Sequence, residues 1–361
     1  MIQRLVLENF KHRPVRTVLS AVAIGVQVTM ILTLVGLSRG VLGGMAARSR
    51  GTGADILVRP GSSSIIGASG NMPEKVVDVI RKQPHVAQAT ASLVQPIGNF
   101  DSIAGIHLEE FNRISGGLQY LKGGPFQGPD DLVVDEVFAR ARKVNVGDKI
   151  EFGPTWRVTG IVEQGKLSRA FADMGALQNK YSAHGYANWI YVKADEPGNI
   201  PAVIEGLKLG LADYKIYSME ELSSLFSVDN VPYLSRFTTV VIGLAVVVGF
   251  LVVGLSMYTA VLERTREIGI LKALGASPAY IVGILMRETV LLAIAGTLLG
   301  IGMTYGSREL MAIFAPAMPQ VIVPDWYLKA AGISLFGAIL GALYPGLKAA
   351  RQDAIEALAY D

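Results

Sequence analysis

Four stretches of this chain are apolar, free of Asp, Glu, Lys and Arg, and long enough to cross a bilayer: Thr17–Ser38, Phe237–Leu262, Thr289–Ser307 and Ala330–Leu347. A hydrocarbon core about 30 Å thick takes roughly 20 apolar residues in a helix. One charged side chain at its centre costs ~3 kcal/mol, so charge-free blocks of this length are strongly selected. A large buried enzyme core would also be apolar, but it would spread its apolar residues through the chain. Here 51% of residues are hydrophobic, only 17% are charged and mean hydropathy is +0.40, against roughly 25% charge in an ordinary soluble domain. The fold class expected is a membrane protein with four transmembrane α-helices and a mixed α/β extracytoplasmic domain inserted between the first and second.

The first block follows a basic start, as a secretory leader would, but it is longer than a leader's apolar region. The small-residue run after it, Gly43-Gly44-Met45-Ala46-Ala47-Arg48, makes a poor cleavage site, so it reads as a retained anchor. Basic residues set the orientation. Arg4, Lys11, Arg13 and Arg16 precede the first span; Arg264, Arg266, Lys272 and Arg287 lie between the second and third; Lys348 and Arg351 follow the fourth. The connection between spans three and four carries only Arg308 and Lys329. Both termini are therefore expected in the cytoplasm of a multi-pass protein of the cell (inner) membrane. The map is a cytoplasmic N-terminal helix (1–16), a first span (17–38), an outside domain (39–236) and a second span (237–262). A cytoplasmic loop (263–288), a third span (289–307), a short outside loop (308–329), a fourth span (330–347) and a cytoplasmic tail (348–361) complete it. Within the first segment Ile2, Leu5, Val6 and Phe10 share one helical face, which fits either an interfacial helix or a continuation of span one.

The outside domain alternates strand and helix patterns. Strands are expected at Ala54–Val58, Val86–Val94, Asp131–Asp135, Lys149–Phe152, Trp156–Val162, Trp189–Val192 and Lys215–Tyr217. Helices are expected at Glu74–Lys82, Glu136–Lys143 and Pro201–Leu211, the last inside a βαβ-like unit. Two lobes are conceivable, one of them small, β-rich and near 130–165. The Gly/Ser run Gly61–Gly70 reads as a loop.

Catalytic signals are thin. Gly160-Ile161-Val162-Glu163-Gln164-Gly165-Lys166 has the spacing of a phosphate-cradling loop, but Leu167 stands where a magnesium-binding hydroxyl belongs. The four histidines, His12, His85, His107 and His184, lack metal-ligand spacing. No Gly-x-Ser-x-Gly elbow occurs, and the absence of cysteine excludes disulfides, thiolate metal sites and cysteine catalysis. Asp130-Asp131 and Glu109-Glu110 are read as facing water. A net charge of +3 is too small to argue for nucleic acid. The chain is therefore expected to carry no catalytic site, cofactor or metal of its own.

The most informative stretch follows the second span: Glu263-Arg264-Thr265-Arg266-Glu267-Ile268-Gly269-Ile270-Leu271-Lys272-Ala273-Leu274-Gly275-Ala276-Ser277. It reads as a helix of mixed charge that breaks at Gly275 and restarts at Ser277-Pro278, serine as cap and proline in the first turn. Physics alone fits a solvated hairpin as well as a partner-facing edge. The stretch resembles the signature loop of the FtsX/MacB-like permeases, the mechanotransmission class of ABC transporters. Val133–Val146, Val146-Gly147-Asp148-Lys149-Ile150 and Val158-Thr159-Gly160-Ile161-Val162 are similar to that family's extracytoplasmic core domain. The ending Tyr344-Pro345-Gly346-Leu347-Lys348-Ala349-Ala350-Arg351 through Glu356-Ala357-Leu358 resembles its C-terminal motif. Ala354 departs from it, where proline commonly follows the aspartate, although Asp353 and Glu356 keep capping-box spacing.

The resemblance implies a permease homodimer working with a separate cytoplasmic ABC ATPase that binds ATP and magnesium, since only about 17 residues precede span one. Membrane lipid, and on the outside a periplasmic adaptor, are the further partners it suggests. Glu263, Arg266, Glu267, Gly269, Lys272, Gly275 and Ala276 are then the residues expected to couple to the ATPase, and the activity is export or extraction of an amphiphile. A transducer that switches an extracytoplasmic protein such as a cell-wall hydrolase is the alternative, and an ATPase-free receptor is a third. In the membrane, Gly296/Gly300, Gly302/Gly306 and Gly337/Gly341 are spaced for close helix contact, or face lipid. Gln27 and Thr29 either face a cavity or hydrogen-bond between helices, Trp326 and Tyr327 read as interfacial anchors, and substrate-binding residues are not identifiable.

Overall fold

The computed structural model describes residues 14–63, 70–98, 101–226 and 232–351. The expected interfacial helix at 2–13, most of the Gly/Ser run and the Asp353/Glu356 capping box lie outside the described residues. In chain order the helices are α1 (Pro14–Arg50), α2 (Val76–Arg81), α3 (Leu108–Ser115), α4 (Glu136–Arg142), α5 (Met174–Lys180) and α6 (Ile200–Gly210). Then follow α7 (Met219–Leu225), α8 (Pro232–Glu263), α9 (Thr265–Ala273), α10 (Pro278–Phe314) and α11 (Tyr327–Arg351). The strands are β1 (Ile56–Pro60), β2 (Met72–Pro73), β3 (Val86–Pro96), β4 (Ser102–Ile106), β5 (Tyr120–Gly123) and β6 (Asp131–Asp135). They continue with β7 (Lys149–Glu151), β8 (Thr155–Val162), β9 (Ala170–Asp173), β10 (Tyr186–Ala187), β11 (Trp189–Ala194) and β12 (Tyr214–Ser218). The chain divides into a helical unit, residues 1–39, 232–314 and 320–361, and an α/β unit, residues 40–231 and 315–319.

Among the described residues four helical segments are long and apolar enough to cross a membrane: α1, α8, α10 and a segment Pro324–Arg351 that includes α11. All outrun the apolar blocks read from the sequence. At 37 residues, α1 and α10 are about 55 Å long at 1.5 Å per residue, well beyond the hydrocarbon thickness. The run Gly43–Arg48 is the continuation of α1.

Small residues let the helices of this unit approach closely. A Cβ on Gly296 would lie 2.6 Å from Cβ of Ile24, and one on Gly300 would lie 2.6 Å from the carbonyl of Gly25. Thr29 donates to the carbonyls of Gly25 (2.8 Å) and Gly300 (3.0 Å), which stitches α1 to α10. On α11, Gly341 meets α8, where an added Cβ would sit 2.5 Å from the carbonyl of Phe250. Gly302 and Gly306 have open space where a Cβ would go. Of the three glycine pairs, two therefore belong to helix contacts and one to an open face. Gln27 is buried, with its amide against Gly249; it and Thr29 serve packing between helices.

The α/β unit is built on one sheet of order β12-β1-β11-β3-β4-β9-β6-β8-β5, with β7 added on β8. The sheet runs without a break through the 130–165 region, so β6, β7 and β8 are one end of it and not a separate lobe. β1 lies antiparallel between β11 and β12, which makes the β11–α6–β12 unit a βαβ split by an intervening strand. β1 and β6 are buried at every position, as strands covered on both faces are. Asp135, Asp173 and Ser218 end their strands and cap α4, α5 and α7, accepting from the amides of Phe138 (2.6 Å), Ala176 (2.9 Å) and Glu221 (3.0 Å).

Two expectations about acidic pairs are corrected. Asp131 is buried and accepts from Arg157 (2.6 Å) and the amides of Gln127 and Gly128; only Asp130 faces solvent, near Lys180. Glu110 is half-buried between Arg81 (2.6 Å) and Thr90 (3.0 Å), while Glu109 is exposed. Alternation along β6 and rotation along α3 carry neighbouring side chains to different surroundings.

Candidate functional site

The chain leaves α8 at Arg264, whose φ of −113° and ψ of 16° interrupt the helix. Thr265 compensates locally, its hydroxyl donating to the carbonyls of Val261 (3.2 Å) and Leu262 (2.9 Å). α9 then runs for nine residues and stops in a Schellman motif. The amide of Ala276 donates to the carbonyl of Leu271 (3.0 Å), and that of Gly275 to the carbonyl of Lys272 (2.9 Å). Gly275 sits at φ +90°, a conformation that favours glycine. Ser277 caps α10 by accepting from the amide of Tyr280 (3.2 Å), with Pro278 at the first position of that helix.

This geometry gives α9 two faces. Thr265, Ile268 and Gly269 are buried. Arg266, Glu267, Ile270, Ala273 and Leu274 are exposed, and their spacing puts them on one side of the helix. Ile270 is 46% and Leu274 80% exposed. Of the residues expected to couple, Glu263, Arg266, Glu267 and Gly275 are exposed, Lys272 and Ala276 are half-buried, and Gly269 is on the inner face. Ile270 and Leu274, which the sequence reading did not single out, share that exposed face.

A buried ion pair fixes the base of the site. Arg264 Nη1 lies 3.3 Å from Oε2 of Glu288, the side chains being 11% and 3% exposed. Sequence reading counted Arg264 only as an orientation charge and passed over Glu288, which ends just where the third apolar block begins. On α11, Lys348 lies over the ring of Tyr258 of α8, 5.0 Å from its centre.

The phosphate-loop look-alike in the α/β unit has a structural use. Gly160–Val162 belong to β8, and the Lys166 ammonium donates to the carbonyls of Ser115 (2.5 Å) and Gly117. Burial pushes that ammonium's pKa down. Among the described residues no group of three or more His, Cys, Asp or Glu is placed to hold a metal ion. A cleft of about 520 Å³ is lined by Glu74, Arg81, His107, Glu110, His184 and Tyr186, among others. Its acids are engaged within the unit: Glu74 accepts from His107 (2.6 Å) and Gln178 (2.7 Å).

Four long apolar helices, three of them in sequence after a large α/β insert, have the length and composition of a multi-pass membrane protein. Comparison with known families specifies it further. Residues 17–208 match the MacB-like periplasmic core domain and residues 239–354 the FtsX-like permease C-terminal domain. The chain belongs to the FtsX/MacB-like family of ABC transporter permeases. It is 35% identical over 230 residues to the uncharacterized ABC transporter permease YknZ of Bacillus subtilis, covering 60% of this chain and 55% of that one. It is 27% identical over 320 residues to the macrolide export ATP-binding/permease protein MacB of Salmonella typhimurium, covering 78% of this chain and 48% of that one. The chain thus spans about half the length of these relatives. The crystal structure of the periplasmic region of MacB from Actinobacillus actinomycetemcomitans aligns at 19% identity and a TM-score of 0.38, over 48% of this chain and 94% of that one.

Proposed function

We propose that this chain is the membrane-spanning permease of an ABC transporter, with both termini in the cytoplasm, the α/β unit outside, and α9 as the coupling helix for an ATPase. The observation that carries the reading is the exposed face of α9, where Ile270 and Leu274 stand clear of the helical unit between Arg266 and Glu267. Burying one such side chain fully is worth about 1.5–3 kcal/mol, enough for two of them to anchor a small interface, and flanking charges of both signs set its register. ATP and magnesium bind in the ATPase, and two permease copies assemble with two ATPases in the membrane. Movement at α9 passes through α8 and α1 to the outside unit and drives export or extraction of an amphiphile. The name of the MacB relative, which specifies macrolide export, favours transport over the transducer alternative.

The test is to co-express the chain with ATPase subunits encoded beside it and purify through a tag on the permease. The ATPase should co-purify with the natural sequence and be released by Leu274→Asp combined with Glu267→Lys, the helical unit remaining folded. Co-purification that ignores both substitutions removes α9 from the interface. Stimulation of ATP hydrolysis by amphiphiles then separates a transporter from a transducer.

A further inference from the structure

Gly165–Arg169, the end of the phosphate-loop look-alike and the residues just after it, has a role that neither catalysis nor the α9 interface uses. This stretch is tightly held. Gly165 has φ +110° and Leu167 φ +37°, a left-handed conformation that a leucine adopts only under constraint. Anchors at Lys166, Leu167 and Arg169 hold it. Lys166 donates to the carbonyls of Ser115, the last residue of α3, and Gly117, just after it. The amide of Leu167 donates to the carbonyl of Arg48, in the last turn of α1, at 3.0 Å. Arg169 donates through Nη2 to the carbonyl of Ala317 at 2.8 Å and through Nη1 to Oδ1 of Asp101 at 3.0 Å. Arg169 is only 6% exposed, and its own carbonyl accepts from the amide of Asp135 at 2.8 Å, which ties it to the centre of the sheet.

Residues 315–319 belong to the α/β unit, although in sequence they only connect α10 to α11. The same five-residue stretch therefore holds two chain segments that lead into the long helices, the end of α1 and the α10–α11 connection. We infer that Gly165–Arg169 is a latch that fastens both segments to the α/β unit, with Arg169 as the positioning residue that holds the second. A buried guanidinium suits this task. It binds a carboxylate and a carbonyl at once through separate nitrogens, and its release leaves the half-buried Asp101 beside a weaker partner, Arg142 at 4.0 Å. On the permease reading, on which this step rests, the latch ties the α/β unit to the connection between α10 and α11, a segment outside its own continuous stretch of chain.

The natural chain has no cysteine, so a single Ala317→Cys probe reports on the latch alone. The probe is N-ethylmaleimide, used on the full chain in lipid nanodiscs. Arg169→Gln is expected to raise the labelling rate at position 317 at least fivefold, and Arg169→Lys, which keeps the charge but not the fork, by an intermediate factor. In the assembled complex, ATP should change labelling at 317 when Arg169 is present; Arg169→Gln should abolish that response while hydrolysis continues. A labelling rate within twofold of the parent in a folded Arg169→Gln chain would overturn the latch. Hydrolysis-linked labelling that survives Arg169→Gln would overturn its part in transmission. If no ATPase associates at all, the permease reading fails, and the fivefold contrast in the isolated chain still supports the latch.

Discussion

Arg264 and Glu288 form a buried ion pair, 3.3 Å apart, that joins the start of α9 to the long helix α10. Arg264 is the break between α8 and α9, so the pair lies at the junction of those two helices. Losing one partner of a buried pair costs about 3–5 kcal/mol, because the other charge stays in a poor solvent. Arg264→Ala should therefore lower the melting temperature of the chain in nanodiscs markedly. Arg264→Met with Glu288→Leu should recover much of the loss by replacing charge with packing. Recovery of stability without recovery of ATPase stimulation in the complex would mark the pair as part of transmission, whereas recovery of both would make it scaffolding.

Two glycines two positions apart in α10 provide an internal control on helix packing. Gly300→Ala places a methyl group 2.6 Å from the carbonyl of Gly25 and 2.7 Å from Cβ of Val28, and overpacking of this kind costs about 1–3 kcal/mol. Gly302→Ala meets nothing within 4 Å. Thermal denaturation of the two variants side by side should show a clear loss for the first and none for the second. An equal loss would mean that the open face at Gly302 is covered, by a second copy for instance.

This pair also shows what the sequence could and could not deliver. The spacing of Gly296/Gly300 and of Gly302/Gly306 is identical, so no pattern in α10 alone distinguishes the pair that packs from the pair that does not. The partner, Gly25 on α1, lies some 270 residues away. The long helices were legible because a bilayer demands a minimum length of charge-free apolar sequence, which each of the four carries. Strands β6, β8 and β11 were legible from their apolar runs. β4 and β9 were not: each is short, and they pair in parallel with each other across more than sixty residues. α7 was missed despite the capping box Ser218-Met219-Glu220-Glu221, a signal that stood in the sequence. The break at Gly275 and the cap at Ser277 were read correctly, since both are local. Glu288 was not, since burial of an acid is decided by a neighbour 24 residues away.

In the cleft of the α/β unit, the hydrogen bond from His107 to Glu74 raises the pKa of the imidazole above its ordinary 6.5, opposed by burial and helped by the charges of Glu74, Glu110 and Asp173. The same bond depresses the carboxyl of Glu74 below its ordinary 4.5. The sign of the linkage follows. His107 contributes stability below pH 6.5 that is lost as pH rises through its folded value, and Glu74 contributes above pH 4.5 what is lost on acidification. The pair is strongest between those limits. The chain has four histidines, so ring-labelled histidine NMR can resolve them. Glu74→Gln should move the midpoint of one, His107, down toward 6.5, and an unmoved midpoint would show that the bond is not formed in solution.

Asp135 makes a prediction of the opposite sense. It is 2% exposed, and its pKa is pushed up to about 6, mainly by burial. The amide of Phe138 and the positive charges of Arg169 and Arg48 oppose that shift, and the negative charge of Asp101 adds to it. With an ordinary value of 3.8 in the unfolded chain, the folded state binds more protons between about pH 4 and pH 6, so this group's contribution to stability falls as pH rises through that window. A shift of two units corresponds to about 3 kcal/mol at most. Asp135→Asn keeps an oxygen to cap α4 and removes the titration. The melting temperatures of the two chains should coincide near pH 4, with the variant becoming the more stable by up to that amount above pH 6. A difference that stays constant from pH 4 to pH 7 would mean that Asp135 ionises normally. In that case Arg48 and Arg169 stabilise its carboxylate far more than the burial around them disfavours it.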